Sequence, residues 1–154
     1  MNTKHVPSLE LCQEFDTLCK EKGIVVPETE FYWVVDTEAK INRLVAKDEP
    51  IVEYEQDQEM GSIFPTPLDI LNDPYWSDWK DSEYITVVPA PLVSEQGEIL
   101  HKTFVKMKEE RIVIFNPRGS WSRIVKAVNI MENEANARQK CINYLMAEGI
   151  ITKL

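Results

Sequence analysis

The chain has 154 residues, 44% of them hydrophobic, and its 17 Lys and Arg against 26 Asp and Glu give a net charge of -9. That length suits one globular domain burying roughly two-thirds of the surface its unfolded form exposes, and the acidic balance repels nucleic-acid phosphates and anionic lipid unless a local patch overrides it. No apolar run approaches the roughly 18 residues that span a bilayer, so a soluble protein is expected.

In chain order, Ser8 stands as an N-cap before LELCQEFDTLCKEKG, where Leu11/Cys12, Phe15 and Leu18/Cys19 recur at helical spacing and Gly23 supplies the stop. TEFYWVVD and KINRLV follow, rich in β-branched and aromatic residues and separated by the polar DTEAK. They predict a hairpin that PIVEYE can extend. EYEQDQEMG, Glu53 to Gly61, loses periodicity and gathers like charge, which predicts a solvated loop or strand end. TPLDILND then predicts a helix of one or two turns, capped by Thr66, opened by Pro67 and Asp69 and finished before Pro74.

EYITVVPAPLV and EILHKTFVKMK flank SEQGE, whose Gly97 predicts a hairpin turn, while the prolines place the first of these strands at an edge or bend it. RIVIF runs into the turn-forming NPRGS and on to WSRIVKAV. A last helix over ENEANARQKCINYLMAEG follows the stripe Ala137/Arg138, Cys141/Ile142 and Leu145/Met146 to Gly149, with IITKL as a terminal strand. Helices at both ends around a run of strands predict an α+β class: one domain over 1–154, an antiparallel sheet covered by the N-terminal and C-terminal helices.

Cys12, Cys19 and Cys141 are odd in number and lack CxxC spacing, and no apolar stretch follows a basic start, which points to a reducing cytosol. His5 and His101 are far apart and not spaced with Cys or carboxylates as metal ligands, and there is no phosphate loop or nucleophile elbow. No metal, cofactor or catalytic group is therefore expected. Cys141 with His101 would be a catalytic pair, but Cys141 lies on the helix's apolar stripe, where a buried thiol is inert. The carboxylate pairs Asp78/Asp81 and Glu53/Glu55 have the groups for acid–base work or a hard cation, but the run EYEQDQE lacks the glycine and terminal Glu of a calcium loop, and charge runs of this kind are solvated.

Charge is unevenly placed. Residues 1–100 hold 7 basic and 21 acidic residues, for -14, and 101–154 hold 10 and 5, for +5. In the basic part Arg118, Ser120, Trp121 and Arg123, with Ser122 and Lys126, surround a turn and form a candidate site for an anionic or nucleotide-like ligand; the alternative is a hairpin turn with basic residues on a solvent face. In the acidic part DPYWSDWKDSEY, Asp73 to Tyr84, packs two Trp and two Tyr among four carboxylates and one lysine. Tyr75, Trp76 and Trp79 share the spacing of one helical face, which fits core. With Tyr84 and the rim of Asp73, Asp78, Asp81 and Glu83 they also fit a protein-binding hot spot. A basic partner, or a cationic ligand over a Trp face, suits that rim.

SLELCQEFDTLCKEKG…PETEFYW at the start and NEANARQKCINYLMAEGII at the end, with PTPLDIL between them at Pro65 to Leu71, resemble small uncharacterised proteins of bacteriophages and prophages, especially those of gut Bacteroidales. The resemblance covers about half the chain and departs in the acidic segment Glu53 to Glu59 and in NPRGSW. It implies a phage or mobile-element origin and a cytoplasmic or virion-associated location, with no activity and no functional residue attached. Together these readings lead to a non-enzymatic interaction protein that binds another protein through the acidic, aromatic-rich stretch. The alternatives are a small-ligand binder at the Arg118 turn, or an acidic DNA mimic that inhibits a nucleic-acid-binding protein.

Overall fold

A computed structural model of the chain describes residues 5–36, 41–51, 65–76, 85–109 and 134–154. Helices and an antiparallel sheet are both present, so the chain is of the α+β class that the sequence predicts. The chain divides into two compact units, one over Thr29–Ala90 and one formed by Asn2–Glu28 with Pro91–Leu154.

The first unit holds the sheet. Strands β1 (Phe31–Asp36) and β2 (Ile41–Ala46) form the expected hairpin, and β3 (Ile85–Ala90) pairs antiparallel with the other side of β1, giving the order β2-β1-β3. Tyr32 lies opposite Val45 and Pro89, and Val34 opposite Arg43 and Val87, so alternation puts Tyr32, Val34, Val45, Val87 and Ile85 on one face. That face forms a core with Ile51 and Ile70. Among the described residues β3 pairs with β1 alone, which is where a strand tolerates a residue such as Pro89 that lacks an N–H. The buried Thr29 closes the entry to β1: its N–H donates to Tyr32 Oη at 3.2 Å and its hydroxyl to Phe31 O at 2.7 Å. The short helix α2 (Pro67–Asn72) brings Leu68, Ile70 and Leu71 to this core.

Among the described residues the second unit holds three helices, α1 (Leu9–Lys22), α3 (Val93–Glu109) and α4 (Glu134–Ala147). Phe15, Cys19, Leu100, Cys141, Ile142, Leu145 and Met146 make its core. α1 and α4 end alike. Gly23 and Gly149 take left-handed backbone with φ of 66° and 76°. Ile24 N–H reaches back to Cys19 O at 2.8 Å, and Ile150 N–H to Leu145 O at 2.9 Å. In this pattern a glycine satisfies the last carbonyls and turns the following aliphatic residue toward the helix it ends. Ser8 has the extended backbone of an N-cap, but its side chain makes no capping bond; its N–H donates to Asn136 Oδ1 at 2.8 Å.

Two expectations are corrected here. EILHKTFVKMK is not a strand after a Gly97 turn, because residues 93–109 form one helix in which Gln96, Leu100 and Thr103 are buried at helical spacing. Gly97 sits inside it under the Arg138 guanidinium of α4: a Cβ there would lie 2.5 Å from Arg138 Nη1, the nitrogen that donates to Val93 O at 2.8 Å, so a larger residue would have to displace that side chain. IITKL is not a strand either; residues 151–154 have no regular structure, although Ile151 is buried in the helical core and Leu154 packs against it. The expected extension PIVEYE, apart from Pro50 and Ile51, and all of EYEQDQEMG, RIVIF, NPRGS and WSRIVKAV lie outside the described residues.

A line of buried amides crosses the helical unit. Gln96 Nε2 donates to Ala135 O at 2.9 Å and to Gln139 Oε1 at 3.0 Å, Gln139 Nε2 to Asn143 Oδ1 at 2.9 Å, and Asn143 Nδ2 to Leu11 O at 3.2 Å. Both ends of the line rest on backbone carbonyls, which only accept, so the direction of every amide in it is fixed. Apolar burial, at about 1.5–3 kcal/mol for each large side chain, outweighs the roughly 1 kcal/mol net of each such bond. The core therefore supplies the stability of this unit, and the amides supply its orientation.

Candidate functional site

The acidic, aromatic stretch begins where α2 ends, and local hydrogen bonds fix how it leaves the helix. Thr66 and Asp69 form a reciprocal capping box, with Asp69 N–H to Thr66 Oγ1 at 3.2 Å and Thr66 N–H to Asp69 Oδ2 at 3.0 Å. Asp73 then terminates the helix, its own N–H bound to Asp69 O at 2.9 Å. Pro74 has no N–H and a fixed φ, and it opens a single 3-10 turn over Pro74–Trp76. Asp73 anchors that turn twice: its Oδ1 accepts from Tyr75 N–H at 2.9 Å and its carbonyl from Trp76 N–H at 3.1 Å.

The two rings that follow have different surroundings. Trp76 is half-buried and packs with Leu68 and Leu71 against the sheet core. Tyr75 is 81% exposed. Their centroids are 5.1 Å apart and the planes stand at 83°, an edge-to-face pair in which the anchored ring steadies the exposed one. Asn72, Asp73 and Pro74 are exposed beside them. The arrangement offers an aromatic surface with a carboxylate on the same turn. Of the six residues that the sequence marks for partner binding, Tyr75 and Trp76 are described; Asp78, Trp79, Asp81 and Tyr84 lie outside the described residues, as do Arg118, Ser120, Trp121 and Arg123 of the anion site.

Elsewhere the described side chains favour structure over chemistry. Burial pushes the Cys141 thiol up to about 11, and burial followed by the nearby Asp16 carboxylate does the same for Cys19, so both are protonated thiols at neutral pH and poor nucleophiles. His101 is exposed on α3 while Cys141 is buried on α4. Among the described residues no three or more His, Cys, Asp or Glu gather as a metal site, and no helix is long and apolar enough to cross a membrane.

Sequence reasoning missed the amide line. Its signal is Gln139 and Asn143 one helical turn apart, near the small Ala135 and Ala137, on a face otherwise apolar. Compared with protein-family models, with curated proteins and with solved structures, the chain gives no match in any of the three.

Proposed function

We propose that this is a non-enzymatic interaction protein, of the phage or prophage type that its two ends resemble, and that it binds another protein through the acidic, aromatic surface that opens at Asp73. The observation that carries the reading is the exposure of Tyr75, a ring 81% open to solvent on a turn held by two hydrogen bonds to Asp73. A large aromatic side chain presented on a rigid mount loses little entropy when a partner covers it, which is how a few residues come to dominate a protein interface.

Affinity capture from a bacterial host lysate tests it, with the wild type compared against Tyr75→Ala. Tyr75→Ala keeps the wild-type circular dichroism and melting temperature, because the ring it removes faces water, and it loses the partner. A folded Tyr75→Ala that retains every protein the wild type captures overturns the proposal. Trp76→Ala is the contrasting variant: its ring packs on the sheet core, so it lowers unfolding stability by about 2 kcal/mol in denaturant titration.

A further inference from the structure

We infer that the partner meets this surface with an arginine, whose guanidinium plane lies over the Tyr75 ring and pairs with the Asp73 carboxylate. The inference rests on the interaction reading above and adds the chemistry of the partner to it. An aromatic face attracts a cation through its quadrupole, and a carboxylate on the same turn supplies an ionic partner beside it. Tyr75 keeps most of its ring in solvent, and Asp73, which orients the turn through Oδ1, is itself exposed. The net charge of -9, with -14 in residues 1–100, favours a basic visitor over an acidic one.

Geometry narrows the visitor further. A proline-rich segment docks in grooves lined by aromatic walls, whereas Tyr75 and Trp76 stand at 83° with centroids 5.1 Å apart and close on each other. Lysine brings a compact, strongly hydrated charge that neither stacks nor forms a fork. Guanidinium is planar and weakly hydrated and does both.

Short peptides of three arginines, three lysines and three prolines, each flanked by Gly-Ser, are the probes, titrated into the full chain at low salt with the indole NMR signals as readout. The arginine peptide binds measurably tighter than the lysine peptide, because both cations are drawn to the ring face but only the planar guanidinium also stacks on it and forks to the carboxylate, and tighter than the proline peptide. Tyr75→Ala erases the preference for arginine over lysine; Tyr75→Phe keeps it, because the ring face remains. Asp73→Asn weakens both basic peptides while leaving the turn intact, since the amide oxygen still accepts from Tyr75 N–H. Equal affinity for arginine and lysine, a preference that survives Tyr75→Ala, or tighter binding of the proline peptide each overturns the inference. If Tyr75 is needed for protein capture while no arginine preference is found, the interaction reading stands and this one falls; if capture ignores Tyr75, both fall.

Discussion

Tyr75 and Trp76 are neighbours in sequence with opposite fates, and a single aspartate decides them. With Asp73 holding both of their N–H groups, the turn allows one ring to reach the sheet core and leaves the other in water. The buried thiols make a second case in which one side chain's surroundings set its chemistry. Cys19 and Cys141 ionise near 11 in the folded chain instead of the usual 9.0, chiefly because burial disfavours the thiolate. Below pH 9 both states keep the protons, so stability is unaffected; between about 9 and 11 the unfolded chain releases them and the folded chain does not, so stability falls as pH rises. Denaturant midpoints at pH 8 and pH 10.5 check this: a Cys19→Ala, Cys141→Ala variant loses less stability over that interval than the wild type. Equal losses in the two proteins refute it.

At the scale of elements, the amide line makes an ordered forecast. Each amide donates toward Leu11 O, so trimming from the Gln96 end leaves one acceptor without its donor, as Gln96 Oε1 itself is now. Gln96→Leu moves that acceptor to Gln139 and takes one donor from Ala135 O, a helical carbonyl that the Gln139 N–H still serves. Gln139→Leu strands Asn143 Oδ1 and leaves Gln96 Oε1 as it is, at about 1–3 kcal/mol for each buried unpaired group. Chemical denaturation therefore ranks Gln139→Leu as more damaging than Gln96→Leu, and the reverse order removes the directional account. What was legible in the sequence follows the range of the interactions. The stops at Gly23 and Gly149, the Thr66–Asp69 box and the β1–β2 hairpin rest on partners a few residues away. Gly97 reads locally as a turn, and the Arg138 guanidinium that lies over it inside α3 comes from another helix far along the chain. Gln96 and Gln139 meet across 43 residues, a distance over which no spacing rule operates. At the candidate site the sequence shows aromatics among carboxylates, but which ring faces outward depends on the hydrogen bonds of Asp73.

For the whole molecule the governing quantity is charge. A field set by -9 net charges reaches about 10 Å at 0.1 M salt and further in dilute buffer. Association with the basic partner proposed above is therefore expected to slow about ten-fold or more between low and high ionic strength, while dissociation changes less, and stopped-flow mixing over a salt series measures both. A rate indifferent to salt shows that long-range attraction plays no part. The left-handed turns at Gly23 and Gly149 also carry a consequence for the unfolded chain, where glycine is the residue with the most conformations to lose. A methyl group would meet nothing within 4 Å at either position, so handedness alone bars an ordinary alanine there. D-Alanine, introduced by chemical ligation, has the matching handedness and fewer unfolded conformations; its methyl takes the place of the other Cα hydrogen, and where that side of the chain is as open, denaturant titration shows a gain of about 0.4–1 kcal/mol at each site, turning two stops into places where the mirror-image residue is the better building block.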